Sequence, residues 1–94
     1  MIKLAHFTAK WCVPCKMMEP TIEKFLTDHP DVTYEKIDVD LRKNEARCNT
    51  DHILSMPTLI MLANDTQIWR VNHVVGARAL KNAYTKAKSA EEGT

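Results

Sequence analysis

Residues 11–16, Trp-Cys-Val-Pro-Cys-Lys, decide the fold because they place two thiols two residues apart at the start of a predicted helix. An apolar run from Ile2 to Phe7 precedes them and is typical of a strand. Pro14 suits a first helical turn, where its missing N–H is not needed. We therefore predict a strand that delivers both cysteines to the N-terminus of a helix from Cys12 to Asp28.

This placement gives the two cysteines different chemistry. A helix N-terminus offers unpaired N–H groups and the positive end of the macrodipole, and both lower a thiol pKa. Cys12 lies at or just before the first turn, and we expect Cys15, one turn further, to be more buried. In dithiol–disulfide exchange, Cys12 would then attack the substrate and Cys15 would resolve the mixed disulfide. Lys16 either supports the Cys12 thiolate or is simply solvated.

A zinc site is the alternative interpretation of the paired cysteines. Its ligands would be Cys12, Cys15, Cys48 and His52, since Cys-x-x-Cys pairs also bind zinc. The gap between Cys15 and Cys48 exceeds the usual spacing in small zinc modules, so we predict no metal. Cys48 is interpreted as a small buried hydrophobe, with a regulatory or intermolecular thiol as the alternative.

Composition bounds the function. The chain has 94 residues, a formal charge of +1 and 45% hydrophobic residues, which predicts one globular domain. The balanced charge favours neither nucleic acid nor an anionic membrane as partner. No apolar stretch approaches bilayer length and the first residues lack a signal-peptide pattern, so we expect a cytoplasmic monomer. We place the domain at residues 1–88 and a flexible tail at residues 89–94.

Hydrophobic periodicity predicts the order βαβαββα. The remaining strands are predicted at Val32–Val39, Thr58–Ala63 and Gln67–His73, and the remaining helices at Leu41–Asn49 and around Leu80–Ala87. The result is an α/β fold with a four-stranded mixed sheet and helices on both faces. Right-handed crossovers put the first and last helices on one face and the middle helix on the other. By alternation that first face carries Leu4 and His6.

Three segments in this order resemble the thioredoxin family. They are the Trp-Cys-x-Pro-Cys-Lys motif, Met56-Pro57-Thr58 at the start of a strand, and Val75-Gly76-Ala77 before the last helix. The resemblance covers about Ile2 to Ala87. We expect the chain to lack the extra N-terminal strand and helix of full-length thioredoxins. The predicted domain is therefore similar to the minimal fold of glutaredoxins and of short microbial or phage thioredoxins.

The resemblance implies a thioredoxin-like fold and a protein disulfide reductase that serves electron transport and cell redox homeostasis. The dithiol would carry the electrons, so no organic cofactor is expected. The family's partners include a thioredoxin reductase-like donor, protein disulfides and ribonucleotide reductase. Two alternatives remain. One is a glutaredoxin-like oxidoreductase that is re-reduced by glutathione, and the other is a thioredoxin-fold binding subunit whose redox centre is incidental.

The resemblance also implies a substrate site. Pro57 matches the family's cis-proline beside the cysteines, and Met56 would offer backbone hydrogen bonds to an extended substrate. Pro14 is shared with the reducing members of the family. The implied shallow apolar groove consists of Trp11, Val13, Met56, Pro57, Val75 and Gly76. For Met56 and Val75 the alternative is plain core packing.

The sequence departs from the family at three positions. Val13 replaces a glycine, Thr8 replaces a tryptophan, and His6 stands where the family has a buried Asp beneath the cysteines. In the family that Asp pairs with a Lys, whose match is Lys36, and alternation points Lys36 toward the core. His6 is then either a hydrogen-bonded core histidine or the base that takes the Cys15 proton, with its pKa lowered by burial and by Lys36.

Overall fold

Four strands form one mixed sheet in the computed structural model, which describes residues 1–93. They are β1 (Ile2–Thr8), β2 (Val32–Asp38), β3 (Thr58–Ala63) and β4 (Thr66–Val71), in the order β2-β1-β3-β4. β1 pairs with β2 in parallel and with β3 in antiparallel, and β3 pairs with β4 in antiparallel. The predicted four-stranded mixed sheet is therefore confirmed.

Three helices cover the sheet: α1 (Val13–Asp28), α2 (Glu45–Thr50) and α3 (Ala77–Glu92). The predicted middle helix is shorter than expected, because its first residues, Arg42–Asn44, form a 3₁₀ turn. α3 continues through Glu92, so residues 89–92 are helical where the sequence predicted a tail, and Thr94 lies outside the described residues. No helix within residues 1–93 is long and apolar enough to cross a membrane.

Side-chain alternation along β1 divides the core into two layers, as predicted. Ile2 and Leu4 pack on the α1 and α3 side, whereas Ala5 and Phe7 pack on the α2 side. The first layer also holds Met18, Ile22, Phe25, Leu59, Met61, Leu80, Ala83 and Ala87, and the second holds Ile37 and Ile60. Each large buried side chain contributes about 1.5–3 kcal/mol by leaving water, so the two central strands, β1 and β3, are both held firmly by the core.

The β3–β4 connection is a tight turn. Asn64 and Asp65 have φ angles of 49° and 68°, a left-handed conformation that these two residue types tolerate better than most. Two successive positive φ angles match the twist of the flanking strands in a two-residue hairpin. The predicted Asn64-Asp65 turn is confirmed, although β4 ends at Val71 rather than at His73.

The predicted burial of Lys36 is wrong. Its side chain is 51% exposed, and its Nζ forms an ion pair with Glu19 Oε1 of α1 at 2.9 Å. The ion pair shows that alternation gave the correct face, the one covered by α1. However, β2 is an edge strand of the sheet, so a long side chain on that face reaches past the helix into water.

Candidate active site

Cys12 and Cys15 are joined by a disulfide at the N-terminus of α1. Cys12 is the N-cap residue, and its Sγ accepts a hydrogen bond from the Cys15 backbone N–H at 3.2 Å. Cys15 is fully buried and Cys12 is 3% exposed. An N-cap sulfur that receives a helix N–H lies where negative charge is best stabilised, which makes Cys12 the better placed thiolate of the two.

The end of β1 holds the disulfide in position. The Cys12 N–H donates to the Ala9 carbonyl at 3.1 Å, which closes a turn between β1 and α1. The Ala9 side chain packs with both cysteines in a small apolar cluster, and Met56 and Val39 pack against that cluster. The redox pair is therefore fixed to the sheet on one side and to the segment before β3 on the other.

The segment before β3 contains a cis peptide bond between Met56 and Pro57, as the resemblance implied. Pro57 is buried, and half-buried Met56 contacts the cluster that holds the cysteines. Val75 behaves differently, because it packs against the main core and its N–H donates to Met18 Sδ at 3.3 Å. Core packing therefore describes Val75 better than Met56.

Exposed apolar side chains surround the buried disulfide. Trp11 and Val13 are each 65% exposed although they flank Cys12 directly. The Trp11 Nε1–H donates to Asp40 Oδ2 at 2.7 Å, a contact that fixes the indole beside the redox pair. Gly76 is exposed at the N-cap of α3, and a Cβ built on it meets no atom within 4 Å. Sequence reasoning missed Asp40, since nothing in its spacing links it to Trp11.

His6 is fully buried on the α1 side of β1. Its Nδ1 lies 2.9 Å from the Tyr34 hydroxyl, and its buried Nε2 has no hydrogen-bond partner within the described residues. Burial, and secondly the Lys36 charge, lower the pKa of His6 to about 4, against a smaller opposing effect of Glu19. The predicted direction of the pKa is confirmed, and the imidazole is neutral at neutral pH. The same face of β2 carries Tyr34, so alternation alone could have suggested it as a partner.

The predicted pairing of Lys36 with His6 takes a different form. Lys36 acts on His6 only through its charge, while its ammonium group donates to Glu19. That hydrogen bond, together with the Lys36 charge, holds the pKa of the exposed Glu19 carboxyl below its usual value. The two groups form a surface ion pair above the buried histidine rather than a buried pair with it.

The alternative zinc ligands are not brought together. Cys48 packs on the α2 side of the sheet, in a cluster separate from the one that holds Cys12 and Cys15. Within residues 1–93, no group of three or more His, Cys, Asp or Glu side chains is arranged to hold a metal ion. Cys48 is half-buried rather than buried, and it packs against the apolar cluster on the α2 side, while desolvation raises the pKa of its thiol.

Comparison with known proteins identifies the family. The thioredoxin family profile matches residues 2–88. Thioredoxin-1 of Saccharomyces cerevisiae is 40% identical over 82 residues, which cover 85% of this chain and 75% of the yeast protein. The thioredoxin of Chlamydia pneumoniae is 34% identical over 83 residues, covering 88% and 79% of the two chains. The solved structure of thioredoxin-2 of the malaria parasite superposes with a TM-score of 0.84 at 30% identity, covering 92% of this chain and 82% of that one. The chain is a member of the thioredoxin family, a thiol–disulfide oxidoreductase that reduces disulfides through its Cys12–Cys15 dithiol and uses no prosthetic cofactor.

Proposed function

We propose that the chain works as a monomeric, cytoplasmic protein disulfide reductase in which Cys12 attacks the substrate and Cys15 resolves the mixed disulfide. The observation that carries this assignment of roles is the position of Cys12 Sγ at the helix N-cap, where it accepts the Cys15 N–H. A thiolate at that atom is stabilised by the hydrogen bond and by the helix dipole. Pro14 in the first turn keeps the helix start intact without needing a donor.

The reaction transfers two electrons in two exchanges. The Cys12 thiolate attacks one substrate sulfur, the substrate S–S bond breaks, and one substrate thiolate leaves. Deprotonated Cys15 then attacks Cys12 Sγ, which breaks the mixed disulfide and releases the second substrate thiolate. The substrate gains two electrons and two protons, and the chain is left with the Cys12–Cys15 disulfide. A thioredoxin reductase-like donor returns the electrons, and ribonucleotide reductase is among the acceptors we propose.

The substrate lies over the exposed apolar side chains that border the disulfide. Trp11 and Val13 supply open apolar surface on one side of Cys12, and Met56 borders the cysteine cluster on the other. A substrate in an extended conformation pairs with the backbone of Met56, next to Pro57. The open space at Gly76 supports its inclusion in the groove. Val75 packs against the main core, so its part in the groove is to hold the backbone next to Gly76 in place.

His6 takes part in the resolving step as a hydrogen-bond acceptor. If the ring donates its Nδ1–H to the Tyr34 hydroxyl, Nε2 carries a lone pair that is buried and unused. A pKa of about 4 is too low for the strong general base that we hypothesised from the sequence, because such a base works best near the operating pH. We propose that Nε2 accepts a hydrogen bond from the Cys15 thiol and so orients that thiol for the resolving step, and that Lys36 acts only by helping to keep the ring neutral.

The test of this function is the equilibrium reduction potential of the Cys12–Cys15 pair, measured by thiol trapping in dithiothreitol and glutathione buffers. We expect a potential clearly below that of the glutathione couple, since ~30 mV changes this two-electron equilibrium tenfold. Coupled reduction of insulin should proceed with NADPH and a thioredoxin reductase and should fail with glutathione. A glutathione-dependent reaction would replace the proposal with the glutaredoxin-like alternative.

Three serine variants test the assignment of roles. Cys12→Ser should abolish insulin reduction, and Cys15→Ser should accumulate a mixed disulfide with the substrate. Cys48→Ser is the matched control, because Cys48 lies in a separate cluster, and it should keep full activity. Insulin reduction by the Cys12→Ser variant would refute the mechanism, whereas biological function retained after both Cys12→Ser and Cys15→Ser would favour a binding subunit.

A further inference from the structure

A groove lies at one edge of the sheet, beside the second half of β2. It has a volume of about 710 Å³ and lies between the start of α1 and the 3₁₀ turn that follows β2. We name it the β2-edge groove, and its charged lining consists of Lys10, Lys16, Glu19, Glu35, Lys36, Asp38 and Lys43. Of this lining, the proposed reductase mechanism uses only the charge of Lys36.

The outer side of β2 pairs with no other strand within residues 1–93, although the Asp38 carbonyl at its end already accepts a hydrogen bond from Asn44 Nδ2 at 2.8 Å. In a parallel pair, the N–H and C=O of one residue face the same neighbour, and successive residues alternate. The Val39 N–H donates to the Thr8 carbonyl at 2.9 Å, so Ile37 and Glu35 also face β1. The peptide groups of Tyr34 and Lys36 therefore face outward on this edge strand; Lys36 lines the groove, and Tyr34 continues the edge beyond it. They offer donors and acceptors at the spacing of an extended chain.

The groove carries a surplus of positive charge. Its lining has four lysines against three carboxylates. Glu19 pairs with Lys36 and Glu35 accepts from Arg47, whereas Asp38 keeps its charge, because its Oδ1 accepts only the Asp40 N–H at 2.9 Å. The other three cations of the lining form no salt bridge within residues 1–93; they are Lys10, Lys16 and Lys43. An anionic partner would meet these three lysines on both sides of the strand edge.

We propose that the β2-edge groove binds an extended acidic segment of a partner protein, which adds to the sheet as a fifth strand beside β2. Strand addition supplies affinity through the backbone, and flanking side chains supply selectivity. A second copy of this chain would bring the same lysines to the interface, so like charges oppose self-pairing. A nucleic acid backbone offers acceptors to the lysines but no donors for the outward carbonyls of β2.

The groove lies next to the redox pair, so binding there would bring a substrate close to the cysteines. Lys10 immediately precedes Trp11, and Lys16 immediately follows Cys15, so a bound segment ends beside the redox pair. The contact does not use the apolar surface around Pro57. A disulfide protein with an acidic flank is therefore held at the active site by a second, independent contact, and proteins without such a flank are reduced less efficiently at low concentration.

The test is the binding of a labelled, cysteine-free peptide of alternating Glu and Val, measured by fluorescence anisotropy. The matched peptide has Gln in place of every Glu. We expect saturable binding of the Glu peptide that weakens with salt, and about tenfold weaker binding to the Lys10→Gln/Lys43→Gln variant. The control variant, Lys24→Gln/Lys86→Gln, changes two exposed lysines outside the groove and should bind like the unmodified chain.

A proline tests the strand geometry separately from charge. The Lys36 N–H faces outward, so Lys36→Pro removes a donor from the open edge and leaves the β1 ladder intact. It should bind the Glu peptide more weakly than Lys36→Gln, with circular dichroism confirming that both variants fold.

Equal affinity for the Glu and Gln peptides, or unchanged binding by the Lys10/Lys43 variant, would overturn the proposal. Self-association in sedimentation velocity that Lys36→Pro abolishes would also overturn it, because the occupant would then be a second copy. Since the peptide has no cysteine, none of these outcomes bears on the reductase function.

Discussion

Mild acid should destabilise this protein through a single buried histidine. The pKa of His6 is lowered from 6.5 to about 4 in the folded chain, chiefly by burial. As the pH falls below 6.5, the unfolded chain therefore binds a proton that the folded chain does not accept until about pH 4. The contribution of His6 to the free energy of unfolding is highest above pH 7 and is lost progressively down to pH 4.

The size of the loss follows from the two pKa values. One pKa unit corresponds to about 1.4 kcal/mol, so a difference between 6.5 and about 4 amounts to roughly 3 kcal/mol at full effect. Most of it, about 2 kcal/mol, should already be lost at pH 5. The free energy of unfolding of a small domain is only about 5–15 kcal/mol, so a loss of this size is a large share of it.

Urea unfolding between pH 7.5 and pH 5 measures this loss. Other groups also titrate in this range, so the contribution of His6 is taken as the difference in pH-dependent stability between the unmodified chain and a variant without the histidine. His6→Asn keeps an amide near the Tyr34 hydroxyl but does not titrate, and its stability should change with pH by about 2 kcal/mol less than that of the unmodified chain. His73→Gln is the control, because His73 is exposed and should leave the pH dependence unchanged. Parallel pH curves for the unmodified chain and His6→Asn would refute the reasoning.

Three further outcomes follow from the contacts around the core and the site. Leu80→Ala removes a fully buried side chain and should lower the free energy of unfolding by about 2–5 kcal/mol in chemical denaturation. The unfolded oxidised chain should show one reactive thiol, and because desolvation raises the pKa of Cys48, alkylation of the folded form at pH 7 should be slow and should accelerate at higher pH. Asp40→Ala frees the Trp11 indole and should raise the KM for insulin about threefold, with a change in Trp11 emission in a Trp69→Phe background; an unaltered KM and spectrum would show that the hydrogen bond has no role.

Much of the fold follows from residues whose local and long-range preferences agree. Alternation along β1 separates Leu4 from Phe7, and a shift by one residue would place each side chain in the other layer of the core. The position of the cysteine motif at a helix start was also predictable, because Pro14 and the apolar strand before the motif are local signals, whereas the choice between redox and zinc chemistry needed the three-dimensional separation of Cys48 from the pair. The alternation of β1 and the position of the motif depend on short stretches of chain, so the sequence alone predicts them.

The features that escaped prediction depend on which strands lie at the edge and on contacts between distant elements. Lys36 was assigned to the correct face but to the wrong environment, because periodicity does not reveal that β2 has a neighbour on one side only. The bond from Trp11 to Asp40 joins residues of different loops, so no local pattern indicates it. The end of α3 was also missed, since the polar residues of its last turn resemble a tail.

The environment of His6 links the proposed mechanism to the weakness in acid. An imidazole can accept a hydrogen bond from the Cys15 thiol only while Nε2 is unprotonated, and burial, which lowers the pKa of His6 to about 4, favours that state in the neutral range. The same burial excludes water from the ring, so the folded chain has no means of accommodating the charge that acid imposes. A carboxyl group at this position would reverse the pH dependence, because burial raises its pKa and stability would then be lost as the pH rises. His6 instead stays neutral over the neutral pH range, and stability in acid is lost as a direct consequence.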